Sequence, residues 1–232
     1  NIIENRISER SIKNYLYLGG LNSFEALFKE LEVQEPGSFS EYRKDKIIKN
    51  TRFKTSYSSS LKNKGNTNEF NNSFSSALDD QLNAEVPVNI LLSGGIDSTL
   101  IALFAKKYLK RDVSAYSLGY QNQHYNEGPQ AEKVANELNI KLLMFNYPND
   151  KNEQIIDDVI SKIPEPIADP SIIPTYYLSK KVSEFTKVVI TGDGADELFG
   201  GYEWYRGTLV SRYIPESFSP LLNLMANLKI NN

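Results

Sequence analysis

Two short segments, SGGIDS at residues 93–98 and GDGADE at residues 192–197, combine glycines with carboxylates in a way that suits phosphate chemistry. In the first segment, backbone N–H groups at the start of a helix would converge on an anion, because helix N-termini favour negative charge. Gly94 and Gly95 permit a tight turn and leave no Cβ in the way of a phosphate. The serines at both ends of the segment add hydroxyl donors.

Asp97 is the informative residue of the first segment, because a carboxylate about 4 Å from a phosphate costs roughly 4 kcal/mol per charge pair at an effective dielectric near 20. A cation must therefore lie between them, and the loop favours Mg²⁺-bound phosphate over a bare anion. The second segment adds three carboxylates, those of Asp193, Asp196 and Glu197. Asp196 is the natural second ligand for the Mg²⁺ that Asp97 requires.

Purely structural roles also fit these residues. Both segments precede helices, and carboxylates and serines at such positions cap and stabilise helix N-termini. Asp169 and Ser171 suit an ordinary turn as well as a binding role, and Glu165 suits the surface as well as a substrate contact. Aromatic residues further along are expected to pack, namely Tyr202, Trp204 and Tyr205. Neither segment matches GxxxxGK[ST] or GxGxxG, the patterns of two common nucleotide loops.

Strands and helices alternate after Pro87, which predicts an α/β fold with a parallel sheet covered on both faces. The predicted strands are 88–92, 113–118, 141–147 and 188–191, and the predicted helices are 98–109, 128–138, 153–163 and 174–185. Ligands bind such sheets beyond the carboxyl ends of the strands. The sites to examine therefore follow Leu92, Leu118 and Thr191.

The first third of the chain is more polar than the rest. Residues 1–85 are polar and are predicted to form an extension that precedes the α/β core at 86–232. Within the extension, residues 56–72 have the composition of a loop. A helix is predicted to follow it, because Phe74, Leu78 and Leu82 recur every four residues.

Composition excludes several classes of protein. The 232 residues carry a net charge of −3, which gives no broad reason to expect nucleic acid or anionic lipid as a partner. The chain has no Cys, so thiol chemistry and disulfides are excluded and a cytoplasmic setting is expected. No apolar stretch is long enough to cross a membrane. His124 is the only histidine and is expected to be solvated, which argues against a His-based triad or zinc site.

SGGIDS after a strand resembles the phosphate loop of the ATP pyrophosphatase (PP-loop) superfamily. Within that superfamily, two segments are similar to the asparagine synthetase family in its bacterial form: EPIADPSIIPTYYLSKKV at 165–182 and VVITGDGADELFGGY at 188–202. Residues 15–57 resemble the connector that leaves the glutaminase domain of that family. One departure is Asn126, where the family usually has Asp.

The resemblance implies a doubly wound parallel sheet of the adenine nucleotide alpha hydrolase-like type and a glutamine-hydrolysing asparagine synthase activity. ATP would adenylate the aspartate side chain, giving β-aspartyl-AMP and pyrophosphate, and ammonia from glutamine would displace AMP. The implied ATP-binding residues are Leu91, Ser93, Gly94, Gly95, Asp97, Ser98, Leu118, Thr191 and Gly192. Asp193 is the implied catalytic residue, managing the proton of the attacking amine, and Asp97 and Asp196 are the implied Mg²⁺ ligands.

The resemblance also implies parts that lie elsewhere. The glutaminase domain needs an N-terminal Cys and is expected to be absent from this chain, and a helical region with a catalytic Lys is expected beyond Asn232. A homodimer is an expected assembly. Related enzymes with the same adenylating core stay open as alternatives: β-lactam synthetases, lasso-peptide cyclases and amidating enzymes of polysaccharide pathways. A non-catalytic nucleotide-binding module is the alternative from another class.

Overall fold

A computed structural model describes most of the chain. The described residues are 6–21, 25–44, 46–53, 66–121, 126–211, 213 and 218. His124 and Tyr125 lie outside them, as do residues 54–65, which include the first part of the predicted loop at 56–72. No helix within the described residues is long and apolar enough to cross a membrane.

The N-terminal part contains one helix and one hairpin. Helix α1, Glu9–Leu18, begins after Ser8, whose side chain accepts a hydrogen bond from the Ser11 N–H. Strands β1, Ser38–Arg43, and β2, Lys46–Arg52, pair antiparallel, and neither contains a buried residue. These elements therefore lie on the surface, as expected for an extension.

Helix α2, Thr67–Leu82, connects the extension to the core. The side chain of Asn66 caps it by accepting a hydrogen bond from the Asn68 N–H at 2.9 Å. The loop predicted for residues 56–72 is therefore wrong from 67 onward, because this cap starts the helix within a polar stretch. Leu78 is buried in the core and Phe74 and Leu82 pack beside it, which confirms the predicted helical pattern.

The core alternates strands and helices as predicted. Its first half comprises β3 Val88–Leu91, α3 Ile96–Leu103 with a π-helical continuation Phe104–Tyr108, β4 Ser114–Gly119, α4 Gly128–Leu138 and β5 Lys141–Asn146. A 3₁₀ turn, Asn149–Lys151, then leads to α5 Asn152–Ile160, α6 Ile172–Val182, β6 Val188–Ile190, α7 Ala195–Phe199 and α8 Glu203–Ser211.

The four core strands form a parallel sheet in the order β5-β4-β3-β6. Successive strands step outward from β3 to β5, and the chain then returns to the other side of β3. Each strand end lies within one residue of its predicted bound. The predicted fold class, an α/β doubly wound parallel sheet, is confirmed.

Helices cover both faces of the sheet, because opposite faces of the same strands belong to different apolar clusters. Ala115 of β4 and Met144 of β5 pack with α2, α3 and α4. Leu118 of β4 and Tyr147 after β5 pack with α5 and α6. Residues of opposite parity in a strand point to opposite faces, so the two clusters sandwich the sheet.

Candidate active site

The strand register brings the two acidic segments side by side. β3 pairs with β6 so that Ile90 lies opposite Ile190, and both chains leave the sheet shortly after this pair. A Cβ atom added at Gly192 would lie 3.1 Å from Asp97 Cβ and 3.3 Å from the Ser98 nitrogen. The two loops are therefore in direct contact, and a glycine at 192 permits their close approach.

Serine hydroxyls hold the shape of the first loop. The Ser93 hydroxyl accepts a hydrogen bond from the Gly95 N–H at 3.1 Å and lies 3.0 Å from the Ser98 hydroxyl. The Ser98 hydroxyl also accepts from the Ser93 N–H and donates to the Gly95 carbonyl, both at 3.3 Å. Gly95 precedes α3, and no side chain caps that helix. The capping role for Asp97 and Ser98 is therefore not the one observed, and first-turn N–H groups are left for a ligand.

Gly94 has a structural role that the sequence did not reveal. Its φ of +83° lies in the left-handed region, and an added Cβ would lie 2.7 Å from the Ala131 nitrogen and 2.8 Å from the Gln130 carbonyl carbon. The space freed by the missing side chain is thus filled by the first turn of α4, not left for a phosphate. Its nucleotide-binding role stays a prediction.

In the second loop, two hydrogen bonds with Thr191 hold the Asp193 side chain and backbone in place. The Thr191 hydroxyl donates to Asp193 Oδ2 at 2.8 Å and accepts from the Asp193 N–H at 3.3 Å. Asp193 is exposed. α7 follows, with Asp196 and Glu197 in its first turn.

Tyr202, which follows α7, forms a hydrogen bond with a carboxylate in the first turn of that helix. Its hydroxyl donates to Glu197 Oε1 at 2.8 Å, and this hydrogen bond raises the pKa of Tyr202 to about 12. The phenol therefore stays protonated at neutral pH and keeps donating. Its ring also stacks on Trp204, with ring centroids 5.8 Å apart, so the predicted packing role describes only half of what this residue does.

These loops border a cavity of about 480 Å³ at the carboxyl end of the sheet. Every predicted site residue except Gly94 lines it: Leu91, Ser93, Gly95, Asp97, Ser98, Leu118, Thr191, Gly192, Asp193 and Asp196. The rule that ligands bind beyond the strand ends therefore located the cavity correctly.

The sequence did not decide whether Asp169 and Ser171 form a turn or a binding site. In the structure the two residues have different positions relative to the cavity. Ser171 lines the cavity, whereas neither Asp169 nor Glu165 is among the residues that do. Asp169 Oδ1 accepts from the Ser171 N–H at 2.9 Å, and hydrogen bonds from Ser171 lower the pKa of Asp169. Asp169 is therefore placed as a turn residue before α6.

Asn126 closes the loop between β4 and α4. Its Oδ1 accepts hydrogen bonds from the N–H groups of Tyr120 at 3.2 Å and Gly128 at 3.1 Å. An Asp carboxylate could accept the same two bonds, so the departure from the family pattern at this position preserves the local contact.

Sequence reasoning missed one wall of the cavity. This wall comes from β4 and its following loop and from α6, and its further residues are Tyr116, Ser117, Tyr120, Glu127, Pro174, Thr175 and Leu178. Tyr120 could have been found, since it follows Leu118 by two residues. The α6 residues follow no strand, and only the four-residue spacing of Pro174 and Leu178 marks them as one helix face.

The cavity is strongly acidic. Five carboxylates line it, from Asp97, Glu127, Asp193, Asp196 and Glu197, and none of the described lining residues is Lys, Arg or His. An anion such as a triphosphate would be repelled here unless cations accompanied it. An anionic ligand of this cavity would therefore have to bring its own counter-ions.

The residues fit Mg²⁺ as that counter-ion. Carboxylate oxygens are the ligands Mg²⁺ prefers, and Mg²⁺ is usually held by one or two carboxylates together with phosphate oxygens and waters. In the described part of the chain no group of three or more acidic, His or Cys side chains is close enough to hold a metal by itself. This arrangement suits an ion that arrives with its nucleotide better than a permanent metal cage.

Comparisons with known proteins identify the family of the chain. The family model described as asparagine synthase matches residues 69–230, so the chain belongs to the asparagine synthase family. The family resemblance predicted from the sequence is therefore confirmed.

Individual relatives extend beyond this chain. Asparagine synthetase [glutamine-hydrolyzing] 1 of Bacillus subtilis is 28% identical over 208 residues, which cover 88% of this chain and 32% of that protein. An asparagine synthetase [glutamine-hydrolyzing] of Sandersonia aurantiaca is 31% identical over 142 residues, covering 57% of this chain and 27% of that one. The chain spans about a third of the length of such curated relatives. Among solved structures, an NH3-dependent NAD synthetase from Campylobacter jejuni is a remote likeness, with TM-score 0.42, 22% identity and coverage of 60% and 61% of the two chains.

Proposed function

We propose that this chain is an asparagine synthetase-type amide ligase domain that uses Mg²⁺ and ATP to adenylate the side-chain carboxylate of aspartate. The observation that carries the proposal is the contact between the SGGIDS loop and the GDGADE loop at one acidic cavity. Glutamine-hydrolysing asparagine synthetases among the relatives point to aspartate as acceptor and to ammonia from glutamine as nitrogen source.

In the first half-reaction, an oxygen of the aspartate side chain attacks the α-phosphorus of ATP. The bond between that phosphorus and the bridging oxygen breaks, and pyrophosphate leaves as β-aspartyl-AMP forms. The N–H groups of residues 93–98 bind the triphosphate and orient it for this in-line attack, so catalysis is positioning and electrostatics. The backbones of Leu91, Leu118, Thr191 and Gly192 line the adenosine. Asp97 and Asp196 would hold Mg²⁺, which would supply positive charge for the pyrophosphate leaving group.

In the second half-reaction, ammonia attacks the acyl carbon, the bond to the AMP oxygen breaks, and asparagine and AMP form. The attacking nitrogen must lose a proton. Asp193 is exposed and lines the cavity, and the Thr191 hydroxyl holds its Oδ2. We assign Asp193 as the acceptor of that proton.

The ammonia would come from a glutaminase part, whose Cys nucleophile is not among these 232 residues. Small molecules are therefore the proposed ligands of this cavity: ATP, aspartate and ammonia. The homodimer and the cytoplasmic setting stay predictions.

Binding of the acceptor tests the proposal. In calorimetry with Mg²⁺ and a non-hydrolysable ATP analogue, aspartate should bind and glutamate and larger carboxylic acids should not. A full-length preparation, which adds the expected helical region with the catalytic Lys, should yield AMP and pyrophosphate from aspartate and ATP. Preference for a different carboxylic acid would instead identify a related adenylating enzyme. A full-length preparation that binds nucleotide but forms AMP from no carboxylate would identify a non-catalytic module.

A further inference from the structure

Gly201 follows Asp196 by five residues, and the short helix between them folds it back beside that carboxylate. α7 spans only Ala195–Phe199, and Gly200 ends it in the left-handed region, with φ of 70°. The N–H groups of Gly200 and Gly201 both donate to the Asp196 carbonyl oxygen, at 2.9 and 3.1 Å. The chain therefore returns over the first turn of its own helix.

The Asp196 side chain occupies the place where a side chain at residue 201 would stand. A Cβ atom added at Gly201 would overlap Asp196 Oδ1 and would lie 2.9 Å from Cγ and 3.4 Å from Cα of the same residue. Backbone conformation does not explain the glycine, because Gly201 is not among the residues with positive φ. A side chain at residue 201 would therefore displace the Asp196 carboxylate from its observed position.

We propose that Gly201 is a positioning residue for Asp196. The missing side chain at 201 leaves room for the carboxylate in its observed position, and that position sets how tightly the site holds the magnesium of a bound nucleotide. This inference rests on the proposed function, since it takes Asp196 as a magnesium ligand. Mg²⁺ demands near-ideal octahedral geometry at about 2.0–2.1 Å, so a carboxylate pushed aside by one methyl group loses much of its value as a ligand.

The test is the magnesium requirement of nucleotide binding in the Gly201→Ala variant of the full chain. The Mg²⁺ concentration that gives half-maximal binding of a non-hydrolysable ATP analogue should rise about tenfold or more, as for other residues that orient metal ligands. Binding should recover toward the wild-type level when Mg²⁺ is in large excess. The matched control is Gly207→Ala, because Gly207 is exposed on α8 with no atom within 4 Å of an added Cβ, and it should leave the requirement unchanged.

A double-mutant cycle separates positioning of Asp196 from a general structural effect. If Gly201 acts through Asp196, adding Gly201→Ala to Asp196→Ala should change nothing further, because the carboxylate that the methyl group displaces is gone. The same holds for folding: should Gly201→Ala alone unfold the chain, Asp196→Ala/Gly201→Ala should fold.

Three results would overturn the proposal. They are an unchanged Mg²⁺ requirement in Gly201→Ala, an equal loss of affinity in the Asp196→Ala background, and a double variant that stays unfolded. A wild-type chain that binds no magnesium–nucleotide would overturn the proposed function together with this inference, whereas normal wild-type binding with an unaffected Gly201→Ala variant would overturn this inference alone.

Discussion

Single glycines in the two loops serve packing as much as ligand binding. In the loops, Gly94 approaches α4 at a distance that a Cβ would violate, and Gly192 approaches Asp97 closely enough that a Cβ would be tight. After α7, Gly201 leaves room for the Asp196 side chain. The sequence predicted the turn-forming use of glycine at 94 but not these contacts, because they depend on which elements meet in space.

Gly94→Ala should destabilise the fold by about 1–3 kcal/mol, since alanine would adopt a left-handed conformation and press on the α4 backbone. Urea unfolding monitored by circular dichroism measures the change. Gly207→Ala is the control, and it should be neutral or stabilising by about 0.5–1 kcal/mol because it lies within a helix. Equal stability of Gly94→Ala and wild type would show that the close contact with α4 is not required.

Asp97→Asn should weaken magnesium-dependent binding of an ATP analogue about 10–100-fold, because a charged ligand of the cation is lost. The amide keeps the size of the side chain, and Asp80→Asn, an exposed acid on α2, controls for net charge. Calorimetry in excess Mg²⁺ gives the comparison. Tighter nucleotide binding by Asp97→Asn would mean that Asp97 only repels phosphate and does not hold a cation.

At the scale of elements, α5 packs against α6, which forms one wall of the cavity, and the two helices are joined by polar contacts. Lys180 of α6 donates to Asp158 Oδ2 of α5 at 2.7 Å, and the Tyr176 hydroxyl approaches the same oxygen at 3.5 Å. The hydrogen bond and charge of Lys180 lower the pKa of Asp158 and, in return, those of Asp158 raise the pKa of Lys180. The pair therefore stabilises the packing of the two helices only while both groups are charged.

Lys180→Met should lower the melting temperature near neutral pH and lose this effect in acid. Because the pKa of Asp158 is depressed below its ordinary value of 3.8, the stabilisation is present above that value and disappears as pH falls through the lower, folded-state pKa. Thermal unfolding at about pH 6 and about pH 2.5 measures the difference from wild type. Lys133→Met, on the exposed face of α4, is the control. A difference that is the same at both pH values would rule out the ion pair as its source.

Helices and strands could be predicted where a local sequence pattern was enough to determine their bounds. Buried apolar runs predicted all four core strands to within one residue, and the pattern of α4 predicted its bounds at Gly128–Leu138. The start of α2 was not predictable from composition, because a single cap at Asn66 outweighs a polar stretch. The π-helical continuation of α3 at Phe104–Tyr108 left no sequence signal that we can identify.

At the scale of the whole molecule, the order of the strands in the sheet brings the two loops of the site together. Residues about one hundred positions apart meet because β6 returns to the side of β3, with Val88 opposite Val188. The rule for parallel sheets predicted this meeting, and it placed ten of the eleven predicted site residues around one cavity. The sequence could not predict the wall from α6 or the hydrogen bond from Tyr202 to Glu197, since both depend on how helices fold back over the sheet.

The acidity of the whole cavity gives the most direct test of the central claim, that this is a site for a nucleotide carried by magnesium. The measurement is calorimetric binding of a non-hydrolysable ATP analogue to the wild-type chain, once with excess Mg²⁺ and once with EDTA. We predict binding with Mg²⁺ and none in EDTA, because five carboxylates line the cavity and no described lining residue is basic. Equal binding in EDTA would contradict the account.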